Sequence, residues 1–529
     1  MRLWRWGMAT ALVCALVSPS LAQLRVVTWN ISNYSGGNAS NVETAVYGVF
    51  EGRSMSPDVF ICQEFLSASA SNSFLSILNA APGSPGDWAA APFINGPDTD
   101  SAFFYRTSRV LFKGVTVVAT GGTSPNHPRN IQRYDIQPIG YFVPECFDPN
   151  NPTDMNCPVT GGGKATIACY SVHMKAGSTG DDQARRLLEA QRIRDDAEAL
   201  PANWMFLIAG DYNIQSSTQS AYQELTGSQA NNAGRFFDPI NTPGGWNNNG
   251  AFRFVHTQDP IGAGGMDDRH DQILLSGNLV DGAEFDYIGN ASVPYSTTTW
   301  NDTNHSYRSY GNDGTSYNTT LTTTGNTMVG PTIALSLQAM ASGAGHLPVF
   351  LDIRLPAKVS SVEVLDFGTV VLGGFAEQPL DIAHGGAVAR WGVNGLEDLT
   401  YSLSHSQGLL DPNVEYTLSA GDAPNTHMIE VLTDTVGLIN ETVTIHSNAP
   451  EDPDRVVLLV GEVVAPSICL GDLDNDNMIT LSDLSGFLGA FGACVGDAAY
   501  VAAADFDSNN CIELADLSGF LGVFGSVCP

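Results

Sequence analysis

Six short segments between Trp29 and Pro348 place acids, amides and imidazoles at the ends of apolar runs. They are Trp29-Asn30-Ile31, Gln63-Glu64, His173-Met174-Lys175, Gly210-Asp211-Tyr212-Asn213, Arg269-His270-Asp271 and His346-Leu347-Pro348. These residue types suit hydrolysis of a phosphodiester, which needs an activated water, a clamp on the phosphoryl oxygens and a proton for the leaving group. Glu64 follows the run Val59-Phe60-Ile61-Cys62 and has the character of a hard-cation ligand. Mg²⁺ prefers a few carboxylates together with water and substrate phosphate. Asp211 and Asn213 alternate after Met205-Phe206-Leu207-Ile208-Ala209, and a period of two points both side chains the same way. One can then align a water while the other contacts phosphate. His173 and His346 are the natural proton carriers near neutral pH, and Asp271 is the candidate to fix an imidazole tautomer. A lone strand-end Glu or His is more often structural. The joint occurrence carries the reading.

The elements that must position these groups are strands. Leu24 to Thr28, Val59 to Cys62, Ala102 to Tyr105, Thr166 to Val172, Met205 to Ala209, Gln272 to Leu275 and Val349 to Ile353 are the strongest candidates. Thr179 can cap a helix from Asp181 to about Leu200, with Ala184, Leu187, Leu188, Gln191 and Ala197 tracing its apolar face. Residues 287–328 are rich in Ser, Thr, Asn, Gly and Tyr and read as a long loop. Strands alternating with helices over residues 23–355 predict an α/β domain.

The 529 residues have room for two to four domains. Arg2 and Arg5, the apolar stretch Met8 to Val17 and Ser20-Leu21-Ala22 predict a signal peptide over residues 1–22. No later segment has the length of uninterrupted apolar sequence that a membrane span requires. The expectation is a soluble exported protein, secreted, periplasmic or held at the cell surface. Eight of the nine cysteines follow the leader, and an oxidising compartment favours disulfides. Cys146 and Cys157 bracket a loop that they are expected to close. Cys62 and Cys169 read as buried thiols within strands, with a bridge between them as the alternative. The pairing of Cys469, Cys494, Cys511 and Cys528 stays open.

The net charge of −32 is unevenly spread, with 18 Lys+Arg against 30 Asp+Glu (net −12) in residues 23–355 and 3 against 25 (net −22) in residues 356–529. Such a chain is a poor nonspecific binder of nucleic acid, which depends on Lys and Arg neutralising phosphates. A local basic groove and a metal ion can still serve a nucleolytic site. Past Pro356, short strands such as Val362 to Leu365, Val370 to Leu372, Tyr401 to Leu403, Met428 to Leu432, Thr442 to Ile445 and Val456 to Val460 predict a small antiparallel sandwich over residues 356–465. His384, His405, His427 and His446 are expected at its surface or turns.

Residues 466–529 repeat with a period of 33. An EF-hand loop takes oxygen ligands from positions 1, 3, 5, 7, 9 and 12. Here those are Asp472, Asp474, Asp476, Met478, Thr480 and Asp483, then Asp505, Asp507, Asn509, Cys511, Glu513 and Asp516, with Met478 and Cys511 offering carbonyls. Asn477 and Asn510 hold the position that favours glycine, and Asn is the next best residue for a left-handed turn. So many carboxylates in one turn point to Ca²⁺.

Two resemblances follow. Residues 24–354 resemble the endonuclease/exonuclease/phosphatase superfamily, which includes DNase I-like nucleases and sphingomyelinases. That implies a four-layer sandwich of two packed β-sheets flanked by helices. It also implies that Asn30 and Glu64 hold Mg²⁺ (or Mn²⁺) and that Asp211 and Asn213 position nucleophile and phosphate. Asp271 would orient His346 as general base or transition-state partner, and His173 would contact phosphate or the leaving group. Tyr105-Arg106 resembles a substrate-facing strand of secreted members, and Arg133 is a further substrate candidate. Family members carry Asp before the last His, where this chain has Gly345. The C-terminal repeat resembles a type I dockerin, a small α module implying Ca²⁺ and a cohesin-like protein partner, and the region between resembles an immunoglobulin-like module. The leading expectation is a metal-dependent nuclease acting on DNA or RNA. The alternatives are a sphingomyelinase-like lipid phosphodiesterase and a non-enzymatic calcium-dependent scaffold.

Overall fold

The computed structural model describes residues 23–139, 141, 165–262, 264–341, 345–386, 391, 396–450, 452–465 and 469–528. The expected leader and the Cys146/Cys157 loop lie outside the described residues.

Two sheets lie at the centre of residues 23–354. The first contains β1 (Gln23–Tyr34), β2 (Val59–Phe65), β3 (Trp88–Ala90), β4 (Asp100–Arg106), β11 (Asp286–Tyr287), β12 (Arg308–Ser309) and β13 (Val349–Arg354). Its order is β11-β13-β1-β2-β4-β3, with β12 also pairing β13. The second runs β5 (Val110–Ala119), β6 (Ile131–Pro138), β7 (Ile167–His173), β8 (Met205–Asp211), β10 (Asp271–Ser276) and β9 (Phe236–Phe237). The period of two separates the faces of the second sheet. Cys169, Leu207 and Ile273 enter the core shared with the first sheet, whereas Tyr170, Ile208 and Leu274 pack with Ala190 and Ile193 of α3 (Gly180–Glu198) and Leu225 of α4 (Ser220–Thr226). On the first sheet, Val42 of α1 (Ala39–Tyr47), Phe74 of α2 (Ala68–Ala80) and Ile333 of α5 (Gly330–Met340) join the core. The layers are helix, sheet, sheet, helix, as the resemblance implies, and the α/β class agrees with the alternation of strands and helices in the sequence.

The seven apolar runs all become strands within about three residues of their expected bounds, except β1, which continues six residues past Thr28 to Tyr34. The hairpin β5–β6 has no clean alternation in sequence and was not foreseen. Helix α3 begins where Thr179 forms a capping box with Asp182. Its buried face differs from the expected one: Ala184 and Gln191 are exposed, and Arg185, Arg186, Glu189 and Arg194 are buried. The arginines are tolerated because they donate to loop carbonyls. Arg186 reaches Lys175 O and Gly177 O, and Arg194 reaches Glu224 O, Leu225 O and Gly227 O. Buried cations paired in this way tie the 175–177 loop and the C-terminal end of α4 to α3.

Residues 359–464 form a second unit with its own core. One sheet is β14 (Val359–Ser360), β16 (Glu377–His384) and β19 (Asn425–Glu430). The other joins β15 (Val364–Val371), β21 (Asp454–Val464), β20 (Gly437–Ser447), β17 (Leu399–His405) and β18 (Glu415–Leu418). The expected all-antiparallel arrangement is corrected: β15 runs parallel to β21. His384 and His405 are buried rather than superficial, because His384 Nε2 meets Glu397 O at 2.9 Å and His405 Nε2 lies 3.4 Å from Glu441. Trp391 reaches back to the first unit, donating from Nε1 to Ser54 O at 2.8 Å with its ring against Phe350.

At the C-terminus, α6 (Leu481–Ala490) and α7 (Leu514–Val523) pack through Phe487 and Phe520. Cys469–Cys528 and Cys494–Cys511 are disulfides, while Cys62 and Cys169 are free and buried. No helix among the described residues is long and apolar enough to cross a membrane.

One buried ion pair holds the first sheet where β1 meets β13. Arg25, fully buried, donates to both oxygens of Asp352 at 2.7 and 2.8 Å and to Met55 O, and its guanidinium lies over Phe350. Removing one partner leaves an uncompensated buried charge. Arg25→Met is expected to cost about 3–5 kcal/mol in urea unfolding, and the double change Arg25→Met/Asp352→Leu to recover most of it.

Candidate active site

The functional side chains gather where strands from both sheets end together. β1 supplies Asn30, β2 Glu64, β7 His173, β8 Asp211 and β10 Asp271, and His346 precedes β13. Parallel pairing of β1 with β2 sets Asn30 beside Gln63, and parallel pairing of β7 with β8 sets His173 beside Asp211. Antiparallel pairing then sets Asp211 opposite Asp271. Glu64 and Asn213 have φ of 63° and 50°. A non-glycine residue in the left-handed region is uncommon and marks functional sites disproportionately.

The amide of Asn30 joins the two sheets. Its Nδ2 donates to Glu64 Oε1 at 3.0 Å and to Asp211 Oδ2 at 3.2 Å, while Oδ1 accepts from Ser32 N. His173 Nε2 lies 3.4 Å from Asp211 Oδ2 and 3.8 Å from Glu64 Oε1. His346 Nε2 lies 3.6 Å from the same Asp211 oxygen. On its other side, His346 Nδ1 meets Asp271 Oδ2 at 2.7 Å, and Thr257 Oγ1 donates to that oxygen at 2.7 Å. Two imidazoles and two carboxylates therefore face one space. The pairing of Asp211 with Asn213 has a different origin from the expected alternation. Asn213 N donates to Asp211 Oδ1 in a local turn, and Asn213 Nδ2 donates to Met174 O.

The two histidines are held in opposite states. Burial lowers the pKa of His173 well below the usual value, helped by Arg129, His346 and His270, so its imidazole is neutral. Burial also opposes charge on His346, yet the carboxylates of Asp271, Asp211 and Glu64 outweigh it and push the imidazolium up to about 10. Opposed environments of this kind separate a neutral donor from a charged one.

The cation ligands expected at Glu64 and Asn30 adjoin each other. Asn30 turns N–H rather than oxygen toward the carboxylates, so a cation on Glu64 requires the amide rotated about its last torsion, a nearly isosteric change. With that rotation the donor set of carboxylate and amide oxygens fits a hard cation. An Asp in place of Gly345, as the resemblance would lead one to expect, has no room here. A Cβ at Gly345 would lie 2.3 Å from Ala341 Cβ and 2.6 Å from Ala341 Cα.

Three expected substrate residues do not join the site. Tyr105 pairs with Val59 at the opposite end of β2 from Glu64, and Arg106 is bound to Asp87 at 2.7 Å. Arg133 is held by Asp135 and by Asp196 of α3. A cleft of mixed charge opens beside His173: Arg129 donates to His173 O at 3.3 Å and, with Lys175, Arg185 and Asp98, lines a cavity of roughly 510 Å³, Arg129 being paired with Asp98 and Lys175 with Asp182. Sequence reasoning missed Thr257 and Asp259, and it named Trp29 without its contact, the Nε1 donation to His346 O. Asp259 is 7% exposed, donates from its backbone to Gly345 O and feels the charge of His346. Only the pairing of distant segments brings them near, and no local signal could have found them.

The C-terminal loops are compact. One ligand atom from each of Asp472, Asp474, Asp476 and Asp483 lies within 4.8 Å of the others, and so do those of Asp505, Asp507 and Asp516. Asn477 and Asn510 are left-handed, at φ of 65° and 71°, as expected for their loop position. The Thr480 hydroxyl serves the helix, accepting from Ser482 N and donating to Asp483.

No family model matches the chain, and no curated protein matches it. Among solved structures, D. rerio TDP2 complexed with single-strand DNA product is similar at 12% identity, covering 63% of this chain and 98% of that one, with a TM-score of 0.33. The human Nocturnin catalytic domain matches at 12% identity over 63% and 94%, with a TM-score of 0.32. An endonuclease/exonuclease/phosphatase family protein from Bacteroides thetaiotaomicron matches at 14% over 63% and 94%, with a TM-score of 0.30. At these scores the likeness bears no weight for activity, which rests on the side chains.

The His346 proton links the site to stability. A folded pKa above the ordinary histidine value of 6.5 stabilises the fold fully below that pH, and the contribution fades as pH rises from there toward about 10. Asp271→Asn is expected to lower the His346 pKa in an NMR titration and to flatten the fall in stability across that window. An unchanged titration would show that Asp271 does not hold the proton.

Proposed function

We propose that the protein is an exported, divalent-metal-dependent phosphodiesterase whose substrate is a nucleic acid strand. The observation that supports this most directly is the single space shared by Glu64, Asp211, His173 and His346, with Asp271 locking the last imidazole. In this reading Glu64 and Asn30 hold Mg²⁺ or Mn²⁺, which when bound polarises the phosphoryl group and offsets its charge. Asp211 aligns the attacking water and accepts its proton. His346, kept protonated by three carboxylates, donates from Nε2 to a phosphoryl oxygen and stabilises the charge that builds there. His173, neutral, offers an N–H to the leaving oxygen. Asp271 and Thr257 fix the His346 ring, and Asn213 holds the turn that carries Asp211. The cleft of Arg129, Lys175 and Arg185 supports a substrate with further negative charge beyond the scissile phosphate.

We also read the C-terminal loops as two Ca²⁺ sites. The carboxylate groups of each loop support this, because such crowding is costly without a cation. The exposed Leu481, Leu488, Leu514 and Leu521, repeated at the same spacing, suit a protein partner of the cohesin type. The two disulfides support export into an oxidising compartment.

Plasmid DNA, RNA, sphingomyelin and bis(p-nitrophenyl) phosphate, each with Mg²⁺, Mn²⁺ or EDTA, test the reading. Nucleic acid is expected to be cut, EDTA to abolish turnover, and His346→Ala to lower the rate about 10²- to 10⁴-fold. Turnover of sphingomyelin alone would move the assignment to a lipid phosphodiesterase. A folded protein inert on all four would leave a scaffold. For the tail, calorimetric titration of the full chain with Ca²⁺ is expected to lose two binding events in the double variant Asp483→Asn/Asp516→Asn; an unchanged isotherm would remove the calcium sites.

A further inference from the structure

The two acidic loops of the tail are not built alike. Each is braced crosswise by the segment that follows the other helix. At the first loop, Ile479 N donates to Ser526 O, Gly525 N to Ile479 O and Cys528 N to Asn477 O, at 2.8–2.9 Å. At the second, Gly492 N donates to Ile512 O, Ile512 N to Ala493 O and Val495 N to Asn510 O, at 2.7–2.8 Å. The second brace is also covalent, because Cys494 is bonded to Cys511.

That bond runs through the loop itself. Cys511 holds loop position 7, the one that offers its backbone carbonyl to the cation. The bridge spans a sequence separation of 17, and Asp505, Asp507 and Asn509 lie inside the ring it closes. Tyr500 lies inside the same ring and donates to Asp505 Oδ2 at 2.7 Å, where Asn510 N also donates at 2.9 Å. The left-handed Asn510 is therefore held at its carbonyl by Val495 and at its next residue by the disulfide. The other bridge differs. Cys469–Cys528, at a separation of 59, joins the two ends of the module and includes no ligand position of either loop.

Carboxylates gathered as closely as those of Asp505, Asp507 and Asp516 repel one another, which favours opening of an untied loop. A short covalent ring restricts the open forms, and a preshaped site gives up less freedom on binding. We propose that the Cys494–Cys511 disulfide sets the Ca²⁺ affinity of the second loop. The proposal rests on the calcium reading above and adds the control of one of its two sites. A tail with Cys494 and Cys511 still as thiols keeps its first site and has a weakened second. Full calcium binding then depends on arrival in an oxidising compartment.

Calorimetric Ca²⁺ titration of the full chain tests this. The events missing from Asp483→Asn and from Asp516→Asn assign the first and second loops. In Cys494→Ser/Cys511→Ser the second event is expected to weaken about 10-fold or more, with the first held within about threefold. An unchanged second event, or equal weakening of both, overturns the proposal and leaves the calcium sites standing. If Asp516→Asn loses no event, the second calcium site and the inference fail together. Should the cysteine variant not regain its helical circular dichroism at saturating Ca²⁺, wild type decides through linkage, since binding and bond must favour each other equally. Reduction of Cys494–Cys511 by a phosphine, followed by alkylation and mass spectrometry, is expected to slow about 10-fold or more with Ca²⁺ in wild type and not in Asp516→Asn. Equal rates with and without Ca²⁺ in wild type overturn the proposal.

Discussion

Glu64 comes from one sheet and Asp211 from the other, and a single amide, that of Asn30, stands between them. Two carboxylates facing a shared buried space repel each other unless donors or cations intervene. The remaining groups of the site can be understood as answers to that constraint. His346 gains a proton because three acids face it, and His173 lends a ring nitrogen to the same Asp211 oxygen. The backbone amide of Asn33 takes the outer oxygen of Glu64, and that of Asn213 takes the outer oxygen of Asp211. What remains is a concentration of negative potential where the two sheets meet.

The wider fold keeps that seam in register. Both sheets share one apolar core, so the ends of β1, β2, β7, β8 and β10 cannot slide independently. Around it, charge is used as fastening. Arg25 locks β1 to β13, Arg186 and Arg194 bind loop carbonyls under α3, and Arg269 grips Asp238 at 2.8 Å beneath Trp246. Much of the small stock of arginine in an acidic chain is therefore spent inside. Near the site, Arg129, Lys175 and Arg185 line one cleft with Asp98, and each has a partner: Arg129 is bound to Asp98, Lys175 to Asp182 and Arg185 to the carbonyls of Gly122 and Asn126.

Legibility followed local physics. Strands with uninterrupted β-branched or aromatic runs, such as Val59-Phe60-Ile61 and Leu207-Ile208-Ala209, were readable because burial on both faces leaves no polar alternation. The cap at Thr179 was readable because it lies within four residues of its partner. Helix α3 misled at its buried face, since arginines that hydrogen-bond carbonyls look solvent-facing in sequence. Tyr105-Arg106 misled by resemblance alone: antiparallel pairing of β4 with β2 carries it to the far end of the sheet. The direction of β15 beside β21 could not be read, because pairing partners far apart in sequence leave no mark in either strand.

The sequence by itself determined which residue types stood at which strand ends, the 33-residue repeat of the tail and the α/β character of the first unit, because period and propensity act over a few residues. Only the tertiary structure decided that Asn30 bridges two acids, that Thr257 shares Asp271 with His346, that Gly345 has no room for a side chain, and that His270 is buried without a partner. The site bridges join atoms far apart in sequence, 181 residues for Asn30 and Asp211 and 75 for His346 and Asp271, while Gly345 is crowded by nearby Ala341. Electrostatics and packing at such contacts are set by three-dimensional neighbours, and no local pattern encodes them.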